Sequence, residues 1–185
     1  MGDALILIDA APGVTTPAAL AQNGIVAFKL ILSAFPDGGM IPALHSCDGA
    51  DLAPGLEWLG QPAGTKSFTL IVDDPDAPNG TWNHWLLYDI PCSLRNIAQG
   101  HKPGGGSIGV SGGIGVNGTN DFGREGYGGP CPPKGRGPHR YIFKLHALDV
   151  SSLGLVRGAR RADIDRALAG HVLAEARYMG RYERK

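Results

Sequence analysis

The residues with chemistry to offer gather in two short stretches, Asp73 to Trp85 (DDPDAPNGTWNHW) and Gly129 to Tyr141 (GPCPPKGRGPHRY). Each couples a proline-stiffened loop to a histidine at the mouth of an apolar run, so two rigid loops can meet over one pocket carrying Asp74, His84 and His139. Pro75 and Pro78 bracket Asp76 and remove an adaptability that an ordinary turn has no need to lose. Preorganisation is what a binding loop gains. In the second stretch Pro130, Pro132 and Pro133 shape a wall, while Gly135 and Gly137 leave backbone N–H groups unobstructed. Such groups, with imidazole and phenol donors from His139 and Tyr141, make a receptor for an anion.

Other chemistries compete for the same residues. Asp74, His84 and His139 are also a donor set for zinc or iron, but no local pair such as His-x-x-x-His accompanies them, so the reading carries no metal and no cofactor. A hydrolase using the same pocket, metal-assisted or working through the Asp and His side chains, is the alternative. Gly105-Gly106-Ser107-Ile108-Gly109 has the spacing of a hydrolase elbow, and Gly113 to Gly118 that of a dinucleotide fingerprint. Neither follows a strand or opens a helix, so both are set aside and no catalytic residue is assigned. Arg140 points away from His139 and Tyr141 and is expected to pair with a carboxylate such as Asp76.

Positioning these side chains falls to short extended runs, because 29 glycines and 14 prolines interrupt the chain and leave only its C-terminal tail with helical spacing. Strands are expected at Ala4–Ile8, Gly24–Phe35, Leu56–Trp58, Lys66–Val72, His84–Ile90 and Arg140–Asp149. Period-two alternation puts Tyr141, Phe143, Leu145 and Ala147 on one face with His139 at its start, and His84 on the face of Leu86, Tyr88 and Ile90. The glycine-rich stretch Gly100 to Gly129 reads as a long surface loop. After Arg161, apolar residues at helical spacing predict two short amphipathic helices that stop at Gly170 and Gly180 and pack on an edge of the β core.

At 185 residues and 43% hydrophobic content, one core and one domain spanning 1–185 are expected. Lys plus Arg and Asp plus Glu are 17 each, and no segment collects the basic residues a nucleic-acid partner would need. The longest apolar run, Ile25 to Leu32, is broken by Lys29 and too short to span a bilayer. The N-terminus lacks the basic start of a secretory signal, and three cysteines without metal-ligand spacing suit a reducing compartment, so a cytoplasmic location is expected. A Cys47–Cys131 bridge stays open. The Asn-Gly-Thr triplets at Asn79 and Asn117 read as turns.

DPDAP followed by a W-x-H-W strand, then GPCPP-K-G-x-G-x-H-R-Y, resembles the phosphatidylethanolamine-binding protein family, also called Raf kinase inhibitor-like proteins. SAFPDGGMIPALHSCDGADLAPGLEW, GVNGTNDFGREGYGGPCPP and GHVLAEARYMGRYER extend the likeness to its bacterial and archaeal branch. The resemblance implies a β-sandwich of two antiparallel sheets with Greek-key-like connections and short C-terminal α-helices. It also implies a non-catalytic pocket for a small anion or a phosphate-bearing headgroup. Carried over by motif, Asp74 is the pocket acid with Asp76 behind it, His84 the first imidazole with Trp82 on the rim, and His139 the second with Tyr141. Gly129, Pro132 and Pro133 supply the wall, and Tyr178 and Tyr182 are further candidates on a C-terminal helix. Regulation of a kinase or protease partner and a homodimer are implied as well. The interval from Asp76 to His84 is shorter than in eukaryotic members, so their kinase contacts do not carry over.

Overall fold

The computed structural model describes residues 26–100 and 114–185. The Ala4–Ile8 strand, the start of the Gly24–Phe35 strand, the Gly105–Gly109 motif and residues 101–113 of the glycine-rich loop lie outside them.

Among the described residues eight strands and one α-helix follow in chain order, with a short 3-10 turn at Ala43–His45: β1 Lys29–Ile31, β2 Leu56–Leu59, β3 Ser67–Asp74, β4 Trp82–Pro91, β5 Asn96–Ile97, β6 Val116–Asn117, β7 His139–Leu148, α1 Arg161–Leu168 and β8 Val172–Tyr182. They form two antiparallel sheets, one ordered β1-β2-β5 and the other β6-β4-β3-β7-β8. Within the larger sheet β3, β4, β6 and β7 lie in the order β7-β3-β4-β6, so the fourth returns beside the first as in a Greek key.

The small sheet alternates strictly, with Leu30, Leu56 and Trp58 turned inward and Lys29, Glu57 and Leu59 outward, as expected of a sheet wet on one side. The large sheet is covered on both faces, and all eight residues of β3 are buried. Phe68, Leu70 and Val72 join Phe143, Leu145, Trp58 and Leu30 in the core between the sheets. Ile71 faces the other way, into a second core with Leu86, Tyr88, Ile164 and Leu168 beneath α1. The expected β-sandwich is therefore present, with a helix laid on its outer face.

Several expectations are corrected. Among the described residues of the Gly24–Phe35 run only Lys29–Ile31 is strand, and Leu32 and Phe35 enter the core from the irregular chain that follows. The second C-terminal helix is the strand β8, which pairs with β7 from His139↔Tyr182 to Leu148↔Val172. Its apolar residues recur at helical spacing, but a ten-residue partner strand satisfies its backbone, and tertiary pairing overrides the local pattern. Gly180 is accordingly no helix stop. It sits opposite Tyr141, where an added Cβ would come within 2.5 Å of Ile41 and 2.6 Å of Phe35. Gly170, at φ +84°, does end the helical region.

The glycine-rich stretch is more than a surface loop. Its described part holds β6, and Asn117, Asn120 and Tyr127 are buried. Asn117 accepts a hydrogen bond from the Trp85 indole at 3.2 Å and stands in a strand, not in the Asn-Gly turn expected there. Asn79 does lie in a turn, closed by Gly80 N–H to the Ala77 carbonyl at 3.2 Å. Cys47 and Cys131 are joined across 84 residues, with Cα atoms 5.4 Å apart, and Cys92 is free and exposed. The odd cysteine count thus loses its force as a sign of a reducing compartment.

Candidate functional site

Asp74 ends β3, His84 lies at the start of β4 and His139 opens β7. These strands are antiparallel neighbours, so the three side chains reach the same end of the large sheet. His84 gets there through an irregularity. Val72 pairs with Trp85 but Asp73 with Asn83, leaving His84 as the extra residue of a β-bulge. The bulge breaks period two. His84 therefore does not follow Leu86 and Tyr88 toward α1 but joins the pocket on the sandwich side. A second shift between Phe68 and Leu70, where Asp89 takes φ +53°, returns Ile90 to the inner core.

An open cavity of about 210 Å³ forms there, lined by Asp74, Trp82, His84, Pro132, Pro133 and His139 together with Ala77, Pro78, Asn79, Phe122 and Cys131. Asp74 and His84 are 3% exposed and His139 6%, so their polar groups are committed to fixed partners. His139 donates from Nδ1 to Asp74 Oδ2 at 2.7 Å, and His84 donates from Nδ1 to the Gly128 carbonyl at 2.7 Å. Because a carboxylate and a carbonyl can only accept, both rings are locked through Nδ1, and Nε2 remains for a ligand. Burial pushes the His84 pKa below the ordinary imidazole value, against the Gly128 hydrogen bond and the Asp74 charge. The neutral ring is the favoured form.

Asp76 does not line the pocket. Its carboxylate holds the Arg140 guanidinium through Nε to Oδ2 at 2.9 Å and Nη2 to Oδ1 at 2.7 Å, and accepts the Arg140 backbone N–H at 2.9 Å. The Arg140 hydrogen bond, outweighing partial burial, holds its pKa at about 2. This pair ties the Pro75–Gly80 loop to the start of β7, as expected for Arg140. Asp74 Oδ1 accepts the Asp76 N–H at 2.8 Å and shapes the same turn.

Gly129 also stands behind the pocket. Its N–H goes to Asp51 Oδ1 at 2.6 Å, and a Cβ there would come within 2.3 Å of the His45 carbonyl oxygen. Only glycine allows that approach. With the Tyr127 hydroxyl on the His45 carbonyl at 2.6 Å, Cys47 N–H on the Pro130 carbonyl at 3.1 Å and the disulfide, the wall is fastened to the loop His45–Asp51.

Tyr141 lies under the site, its ring 5.0 Å from that of His84 and nearly perpendicular to it. Burial and then the Asp74 charge push its pKa up, yet its hydroxyl meets no partner at hydrogen-bond geometry among the described residues. The buried Trp82 indole N–H is unpaired in the same sense. Tyr178 and Tyr182 are elsewhere on β8, donating to the Phe35 carbonyl at 2.6 Å and to Asp48 Oδ2 at 2.9 Å. Among the described residues no group of three His, Cys, Asp or Glu side chains could hold a metal ion.

Sequence reasoning assigned no role to Phe122, whose ring packs edge-on against Trp82 at 5.5 Å and His84 at 5.2 Å. Asn120 positions it by accepting the Phe122 N–H at 3.0 Å, while Asp121 Oδ2 takes the Asn83 N–H at 2.6 Å. The Asn-Asp pair before an aromatic, inside the glycine-rich stretch, was the available signal.

Fold and site together define a two-sheet β-sandwich with a small, prebuilt pocket of two imidazoles, a carboxylate and aromatic rings. The family model described as "Phosphatidylethanolamine-binding protein" matches residues 32–183, and the chain belongs to that family. It is 49% identical over 165 residues to a "UPF0098 protein" of Aquifex aeolicus, covering 89% of this chain and 94% of that one. It is 40% identical over 170 residues to the "Putative lipoprotein LppC" of Mycobacterium tuberculosis, covering 91% and 75%. The crystal structure of E. coli YbcL, described as a member of the mammalian PEBP family, is similar at a TM-score of 0.77 and 34% identity, over 85% of this chain and 99% of that one. No helix among the described residues is long and apolar enough to cross a membrane.

Proposed function

We propose that the protein is a non-catalytic receptor for a small anion, a phosphate or a phosphate-bearing headgroup, held between His84 and His139. One observation carries this reading: two imidazoles converge on one pocket, each locked through Nδ1, and among the described residues the lining contains no hydroxyl or free thiol nucleophile. Burial favours the neutral His84 ring, so an anion gains by drawing a proton onto it. Binding therefore weakens as pH rises. The Trp82 ring, Pro132 and Pro133 bring rigid apolar wall. Asp76, Gly129 and Tyr141 act from behind as supports. Calorimetric titration of phosphoethanolamine, and separately of acetate, should give affinity in the wild type and at least a tenfold loss in His139→Ala, on the order of one charge-assisted hydrogen bond. Equal affinities would remove the pocket assignment.

The Asp74–His139 pair at 2.7 Å also favours a second reading, a hydrolase in which His139 activates water. Turnover of a phosphomonoester that is abolished in His139→Ala and survives chelation would select it over the receptor. The family resemblance supports a homodimer and a regulatory protein partner, which light scattering and an inhibition screen against kinases and proteases would test.

A further inference from the structure

The disulfide is placed unlike a simple structural brace. Cys131 lines the pocket, directly before the wall residues Pro132 and Pro133, while Cys47 is exposed on the loop behind it. The two cysteines stand in different surroundings. Arg184 Nη1 lies 3.6 Å from Cys131 Sγ, whereas Cys47 is followed by Asp48, whose carboxylate is bound by Arg184 Nε at 3.0 Å and by the Tyr182 hydroxyl at 2.9 Å. Cys47 is the exposed residue of the pair and so the one open to an incoming thiolate, and the departing thiolate is favoured where a guanidinium stands beside it.

We propose that Cys47–Cys131 is an exchange site for a low-molecular-weight thiol and that its opening gates the anion pocket. A thiolate RS⁻ attacks Cys47 Sγ, forming the mixed disulfide Cys47–S–SR and breaking the bond to Cys131, which leaves as a thiolate in the pocket wall. A second RS⁻ attacks the sulfur of the SR group, giving RSSR and the Cys47 thiolate, so the protein gains two electrons and two thiols become one disulfide. The hydrogen bonds from Tyr127, Gly129 and Cys47 N–H hold the wall to the loop after the covalent tie is gone, so the pocket persists in the opened form. What changes is its charge. One negative group added at the wall lowers anion affinity by about fivefold, for a unit charge at near-surface screening.

The gating rests on the anion reading above, and the test separates the two. A Cys92→Ser background removes the exposed free thiol. The folded protein is treated with reduced glutathione, quenched with an alkylating reagent and mapped by mass spectrometry. Glutathione on Cys47 with alkylated Cys131 is expected. A bond that opens only after denaturation, or an adduct on Cys131, overturns the exchange. Affinity for inorganic phosphate is then measured in the oxidised protein, in Cys47→Ser and in the double variant Cys47→Ser/Cys131→Ser. Cys47→Ser should bind more weakly than the oxidised protein, and the double variant should bind more tightly than Cys47→Ser. Equal affinity in all three overturns the gating while the anion reading stands, and equal weakness in both variants overturns the thiolate as the cause. Absence of phosphate binding in the oxidised protein overturns the anion reading and the gating with it, leaving the exchange to be judged on mass alone.

Discussion

His84 is buried as the neutral ring, and that sets the direction of its coupling to pH. Its folded pKa lies below the ordinary 6.5, so its contribution to stability is fully present above that value and is lost as pH falls through the lowered one. His146, whose pKa is also lowered by burial against the pull of Glu175, acts with the same sign. Thermal melts taken from about pH 8 to about pH 5 should therefore show declining stability in the imidazole range. The paired carboxylates Asp73 and Asp76, with lowered pKa values, titrate well below that window. His84→Gln should flatten the decline, and an unchanged slope would place the acid sensitivity elsewhere. The sequence showed His84 as a pocket residue but aimed it at the wrong face, because a bulge belongs to the pairing of two strands and leaves no mark on one of them.

Asp73 and Asp74 show how a strand end divides labour. Adjacent residues point to opposite faces, so Asp74 meets His139 in the pocket while Asp73 meets the cations on the helical side. Asp73 accepts from Arg161, the first residue of α1, at 2.7 and 2.8 Å, from Lys144 of β7 at 2.9 Å and from the Asn83 amide of β4 at 3.1 Å. Burial alone would raise the Asp73 pKa, but these partners outweigh it and keep the group charged. Asp73→Ala removes the anion and leaves two partly buried cations facing each other. We expect a loss of about 3 kcal/mol in urea unfolding, the cost of breaking a buried ion pair. Phosphate affinity should persist, and a parallel loss of binding would mean that α1 helps to hold the pocket.

Across the whole molecule, the two motifs of the site come from distant parts of the chain and are held together by the large sheet, while the Cys47–Cys131 bond ties the second of them to the loop at 45–51. Closing a loop of 84 residues removes chain entropy from the unfolded state worth about 4 kcal/mol. The double variant Cys47→Ser/Cys131→Ser should unfold at lower denaturant, and an unchanged midpoint would show that noncovalent contacts suffice. Trapping thiols in intact cells before lysis reads the compartment: a bonded Cys47–Cys131 pair speaks for an oxidising environment, alkylated thiols for the cytoplasm.

The sequence by itself determined the β class, the positions of the central strands, the two proline-rich motifs and the meeting of Asp74, His84 and His139. Those features are written in local signals: alternation, fixed proline angles and motif spacing. Only the tertiary structure decided that the last apolar segment is β8, that Phe122 packs against Trp82 and His84 and that Gly129 supports the pocket from behind. It also decided that Cys131 is bonded within the pocket wall. Each of these depends on a partner far away in the chain, since backbone pairing, ring packing and a disulfide are settled by which surfaces meet.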